Sequence, residues 1–250
     1  MENSWTEACY QTLHFFFWEP QHLGKRKNPD TTYNTPQKVS EHVRNMEVTL
    51  NHSITTYLLL APPSFRTRLF KRCFGSCPSG EIQMHDQDIA DDLDVPIQPD
   101  FCFRSKSSVV SLEMKINAKS SINQFLKYLL LGLADEMSSK HKKEHYLGFI
   151  GTDSFSSLWK SEYKSPAELK KAAESELAVF LSEKGDHFVK HLPRFHEILS
   201  SVNVGFVTYR DIAKILIKSR PPTSDESEGA GVYRRLIQGL LSDLKVRKLI

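Results

Sequence analysis

Between Pro99 and Gly151 the chain sets short runs of strand character on either side of one strongly apolar helix, and that order limits its folds more than any other feature. Pro99–Arg104 and Ser108–Ile116 read as two strands joined by a short polar turn at Ser105–Ser107. Ile122–Leu133 reads as a helix covered on most sides, and His145–Gly151 as a further buried strand. Upstream, Val43, Met46, Leu50, Ile54, Tyr57, Leu58 and Ala61 recur at helical spacing in a helix that starts near Ser40 and ends at Pro62-Pro63. Glu81–Ile89 is a candidate first strand. Helix, three strands, helix, strand is the order of an α/β fold, a mixed central sheet flanked by helices.

The rest of the chain is read around that core. Residues 1–40 form an N-terminal arm or accessory element, with an aromatic cluster (Phe15, Phe16, Phe17, Trp18) and a polar stretch from Gly24 to Pro29. Residues 41–160 make the core, and 161–250 a mostly helical C-terminal extension. In the extension, Ser165-Pro166-Ala167-Glu168 is a capping box with proline at the first helical position, so a helix begins there. Val204–Tyr209 is a short strand candidate and Asp211–Lys218 a helix. Pro221–Gly231 is a polar linker, and Val232–Ile250 an amphipathic basic helix. The arm and the extension are the segments available to a second copy or a protein partner.

Composition excludes little. The formal net charge of +3 does not by itself indicate a nucleic-acid ligand, so the placement of basic residues matters more than their sum. Arg66, Arg68, Lys71 and Arg72 form one basic cluster, and Lys140, Lys142 and Lys143 another. Such clusters are solubilising surface, unless they border one groove and neutralise phosphates. The four cysteines read as free thiols in a reducing cytosol. Cys73 and Cys77 lack a second pair with which to complete a zinc site. No signal peptide and no apolar stretch of membrane-spanning length is evident, so a soluble, cytoplasmic chain is expected.

The chemistry enters with the polar residues of the strands. Alternation in Ser108–Ile116 puts Val110, Leu112, Met114 and Ile116 on one face, taken as the core, and Ser111, Glu113 and Lys115 on the other. Glu113 and Lys115 are therefore neighbours. Asp100, on the preceding strand, can meet Glu113 across the hairpin. Two adjacent carboxylates repel unless a cation lies between them, and a hard divalent ion with oxygen ligands fills that role. Rival chemistries lack their motifs: there is no Gly-x-Ser-x-Gly, no His-Glu-x-x-His and no phosphate-binding Gly-x-x-x-x-Gly-Lys-Ser/Thr.

Pro99-Asp100 followed by Glu113-Met114-Lys115 resembles the signature of the PD-(D/E)xK, restriction-endonuclease-like nuclease superfamily. Gln124 and Tyr128, one helical turn apart, resemble the Gln-x-x-x-Tyr pattern of several of its branches. Glu47, on the inward face of the first helix, resembles a metal-binding glutamate found there in many members. The resemblance covers roughly residues 41–151. It implies an αβββαβ core and metal-dependent hydrolysis of phosphodiester bonds, most readily of DNA, with RNA not excluded. It also implies Mg2+ or Mn2+ held by Asp100, Glu113, the Met114 carbonyl and Glu47. Lys115 would orient water or offset phosphate charge, Gln124 would complete the catalytic set, and Tyr128 would face the nucleic acid beside Arg66, Arg68, Arg72 and Lys142. Such domains serve restriction, defence against foreign DNA, repair or recombination. A nuclease-like module without catalysis, kept for binding nucleic acid or scaffolding a complex, is the alternative.

Overall fold

The structure, a computed structural model, describes residues 4–6, 8–9, 46–84, 99–116, 118–184 and 189–250. It divides into two compact units, one of residues 67–211 and one of residues 1–66 with 212–250. Two helices, α1 (Glu47–Leu60) and α2 (Pro63–Phe74), come first among the longer elements. They are followed by β1 (Gln83–Met84), β2 (Phe101–Arg104), β3 (Ser108–Met114), α3 (Ile122–Ser139), β4 (Glu144–Gly151) and the single turn α4 (Phe155–Leu158). After these come α5 (Pro166–Lys184), α6 (Leu192–Ser201), β5 (Asn203–Thr208), α7 (Tyr209–Ser219) and α8 (Glu228–Val246).

The larger unit is an α/β layer structure on a five-stranded mixed sheet in the order β1-β2-β3-β4-β5. The first three strands are antiparallel neighbours, and β3, β4 and β5 run parallel. Parallel neighbours need a crossover, and helices supply it: α3 between β3 and β4, and α4 to α6 between β4 and β5. One sheet face, carrying Leu147 and Phe149, packs into a cluster with Phe125 and Leu129 of α3, Leu177 of α5 and Phe195 of α6. The other face meets the end of α2. Phe70 lies edge-on to Phe103 with ring centroids 5.3 Å apart, and Phe74 to Tyr146 at 5.2 Å.

Covering both faces changes the reading of β3. All seven of its residues are buried, including Ser111 and Glu113 on the polar face opposite the one taken as the core. Strands of a sheet covered on both faces have no solvent side. The polar residues on that face are therefore enclosed under α3.

The larger unit takes in chain beyond the strands and helices already named. Residues 161–211, expected as extension, supply α5, α6 and β5 to the sheet unit. At α5, Ser165 Oγ accepts from Glu168 N at 3.3 Å and Glu168 Oε2 accepts from Lys164 N at 2.8 Å. Much of the candidate first strand lies outside the described residues, as do 1–3, the aromatic cluster and 41–45 ahead of α1; only Gln83–Met84 of the strand is seen. The basic stretch after Pro62 is helix α2, entered by Pro63.

In the other unit α1 buries Leu50, Ile54, Tyr57 and Leu58. Tyr57 and Tyr233 of α8 share a hydroxyl hydrogen bond of 2.8 Å. Arg247 pairs with Asp243 at 2.9 Å and donates to the Met46 carbonyl at 3.2 Å, which fastens α8 to the start of α1. Helix α8 begins earlier than its apolar pattern suggests, because Ser227 caps it by accepting from Ala230 N at 3.3 Å.

Candidate active site

Glu113 is the centre of the polar cluster expected from the sequence. Its strand position under α3 leaves it 4% exposed, so its charge has to be met by protein groups. Gln124 Nε2, in the first turn of α3, donates to Oε1 at 2.6 Å. Lys115 Nζ pairs with the same oxygen, and Tyr128 Oη donates to Oε2. Gln124 Nε2 also lies 3.1 Å from Tyr128 Oη. A carboxylate offers about four lone-pair positions, and three on Glu113 are taken by these donors.

Each partner is positioned by regular structure. Lys115 follows β3, and its backbone N–H donates to the Ile150 carbonyl at 2.8 Å, which prolongs the β3–β4 ladder by one step. Ser121 caps α3 by accepting from Gln124 N at 3.2 Å. That cap fixes the turn from which the Gln124 amide reaches the strand. Tyr128 lies one turn further on the same face.

Asp100 completes the cluster from the neighbouring strand. The β2–β3 register pairs Phe101 with Leu112, so Asp100 stands opposite Glu113 when the register is continued by one residue. Its Oδ2 accepts from the Met114 backbone N–H at 2.6 Å. Burial raises the Tyr128 phenol pKa, followed by the charge of Glu113 and, more weakly, that of Asp100. Tyr128 therefore stays protonated and acts as a donor. The sequence pattern had no signal for one neighbour: Tyr209, 94 residues away, has its hydroxyl 3.4 Å from the Lys115 carbonyl.

The other expected site residues are carried by other elements. Glu47 opens α1 in the other unit, half-buried in the first turn, where a negative charge complements the helix dipole. Arg66 belongs to that unit by its position. Arg68 and Arg72 are on α2, and Arg72 is paired with Asp211 at 2.9 Å. Lys142 precedes β4, whose first residue pairs with Ser108 at the start of β3. Glu113 stands five residues further along, roughly 17 Å by strand rise. Lys142 instead borders an open basin of about 1210 Å³, together with Arg104, Lys106, His141 and Lys143. It pairs with Glu197 at 3.0 Å.

The oxygen groups gathered here are the carboxylates of Asp100 and Glu113 and the carbonyl of Met114, the residue after Glu113. Among the described residues, no group of three or more His, Cys, Asp or Glu side chains is arranged to hold a metal ion. The four cysteines are free thiols. No helix among the described residues is long and apolar enough to cross a membrane. Compared with protein-family models, curated proteins and solved structures, the chain has no significant match.

Proposed function

We propose that this chain is a metal-dependent nuclease of the PD-(D/E)xK type, with a restriction-endonuclease-like core, acting on phosphodiester bonds and most readily on DNA. One observation carries the reading. Lys115, Gln124 and Tyr128, which the resemblance assigns to one site, converge on a single buried carboxylate, that of Glu113. Asp100 stands at the facing strand position.

Asp100, Glu113 and the Met114 carbonyl would hold Mg2+ or Mn2+. When bound, the ion supplies a more acidic water and positive charge at the phosphate. The chain's own residues do the rest. Lys115 holds a positive charge at the edge of the carboxylate pair, where it can orient water or offset charge developing on a phosphate oxygen. Gln124 and Tyr128 fix the rotamer of Glu113 from behind. The Met114 N–H bond restrains Asp100.

The test is incubation of the purified chain with linear, circular and single-stranded DNA, and with RNA, with and without Mg2+. Cleavage should require the ion and vanish in Asp100→Ala and Glu113→Ala, with circular dichroism unchanged. Wild-type cleavage by Glu113→Ala would overturn the assignment.

A second reading is a nuclease-like module without catalysis, one that binds nucleic acid or scaffolds a complex. It is favoured by the three protein donors already on Glu113 and by the lack of a three-ligand cluster among the described residues. Calorimetry with Mg2+ and Mn2+ separates the two readings, since a binding module need not hold the ion at these carboxylates. A role in defence against foreign DNA, or in repair, would follow from the substrate preference that the cleavage assay measures.

A further inference from the structure

We infer that the basic basin at the end of the sheet where β3 begins anchors a chain of phosphate groups; that these belong to a nucleic acid rests on the nuclease reading. The basin, of about 1210 Å³, is walled by the β2–β3 turn, the end of α3 and the turn into β4. Four cations, Arg104, Lys106, Lys142 and Lys143, line it against two carboxylates, Glu81 and Asp135. The carbonyl end of α3 offsets part of that excess, but a helix terminus carries only about half an elementary charge.

Part of the positive charge is built into the wall. Asp135, on α3, is shared by two cations, Lys143 at 2.6 Å and Arg104 at 3.3 Å. The Lys143 and Asp135 side chains are each 6% exposed, and that of Arg104 19%. One carboxylate cannot neutralise both cations, so the triad keeps a net positive charge inside the protein. Charge held in a low-dielectric wall projects its field into the adjoining cleft and draws counter-ions there. The rim adds cations that are open to a ligand. Lys106 and Lys140 have no carboxylate partner among the described residues. Lys142 pairs with Glu197 at 3.0 Å, but both side chains are more than half exposed, and such a pair is worth little.

The shape favours a row of phosphates over a single anion. A second depression of about 220 Å³ shares His141 and Lys142 with the basin and carries Lys140 and Arg194 in its walls. The basic surface therefore runs from the β2–β3 turn past Lys142 to the start of α6. Contacts to phosphate position a strand without reading its sequence. Glu113 stands at the opposite end of β3, so a strand that met both places would span about five stacked nucleotides.

The test is fluorescence anisotropy of the full chain, without metal, on labelled duplex DNA, single-stranded DNA and RNA of about 20 nucleotides, from about 50 to 200 mM salt. At least one of these should bind, with affinity falling steeply as salt rises. Lys106→Gln combined with Lys142→Gln changes two exposed positions. That variant should lose about tenfold or more in affinity at the lowest salt, and its log–log salt slope should flatten by roughly 1–2. Lys164→Gln combined with Lys171→Gln removes the same charge from exposed positions outside the basin and should keep the wild-type slope. The inference is overturned if no nucleic acid binds, if the basin variant keeps the wild-type slope, or if both double variants flatten it alike. It is also overturned if polyglutamate binds through Lys106 and Lys142 as tightly as any nucleic acid, which would make the surface a docking face for an acidic protein. Metal-dependent cleavage with an unaltered slope in the basin variant would remove the anchor and keep the nuclease reading. A flattened slope without cleavage under Mg2+ or Mn2+ would do the reverse.

Discussion

Tyr128 donates its phenolic hydrogen to Oε2 of Glu113, joining one turn of α3 to the end of β3 across 15 positions of sequence. Burial and the adjacent carboxylate raise the pKa of this phenol. Tyr128→Phe keeps the ring and deletes only the donor. A hydrogen bond to a charged group is worth about 1.5–3 kcal/mol, so urea denaturation should show a loss of that order. An unchanged midpoint would mean that the bond contributes nothing to the fold. In an alkaline titration followed by ultraviolet absorbance, Tyr128 should ionise only after the exposed tyrosines.

Glu136 makes stability depend on acid. Burial works against its charge, but hydrogen bonds from His145, Arg194 and the Lys143 backbone outweigh it and bring its pKa from 4.5 to about 2. Its Oε1 lies 2.8 Å from His145 Nε2, and Arg194 Nε donates to Oε2 at 2.7 Å, tying α3 to β4 and α6. A carboxyl whose folded pKa is depressed stabilises the protein fully above its unfolded value. That stability is lost as pH falls from 4.5 towards 2. The contribution at neutral pH is on the order of 2–3 kcal/mol. Glu136→Gln should therefore lower the melting temperature at pH 7, with the gap to wild type closing below about pH 4. A gap independent of pH would assign the effect to packing.

Elements with one strong local signal were legible in the sequence. The apolar run beginning at Ile122 becomes α3, and the run at His145 becomes β4. The period-2 spacing of Glu113 and Lys115 becomes their ion pair. Helix α2 was missed because Arg66, Arg68, Lys71 and Arg72 interrupt the apolar spacing of Phe65, Leu69, Phe70 and Cys73, which the fold buries. The enclosure of Glu113 could not be read from β3 itself, since alternation gives a side chain's direction and not what covers it. Tyr209 was invisible for a related reason: only the parallel pairing of β5 with β4 brings the start of α7 to Lys115.

Gly205 tests the packing of α2 on the sheet. A Cβ at this β5 position would overlap the Cys73 carbonyl and the Phe74 ring. Backbone cannot swing aside as a side-chain tip can, so Gly205→Ala must push the end of α2 away from the sheet. Overpacking of this kind costs about 1–3 kcal/mol or more. Thermal unfolding should show the loss, together with a change in the near-ultraviolet signal of the aromatics around Phe74. Wild-type stability in this variant would contradict the described approach of α2 to β5.

Lys115 separates electrostatic roles that the geometry superimposes. Its ammonium occupies Oε1 of Glu113, the atom a divalent ion would also seek. Removing the ammonium by Lys115→Ala takes away a competing cation and leaves the Glu113 carboxylate with that of Asp100, which is bound to the next backbone N–H, as its neighbour. Mutual repulsion then favours any cation that enters between them. Under the nuclease reading, affinity for Mg2+ measured by calorimetry should hold or rise in this variant. Cleavage should fall by about 100-fold or more, as for other losses of a group that meets charge in the transition state. Lys115→Arg keeps the charge but spreads it over a planar fork that cannot reproduce the point contact of an ammonium, so it should recover only part of the rate. Loss of Mg2+ binding in Lys115→Ala would instead make the lysine a structural brace for Glu113, and the catalytic role assigned to it would fall.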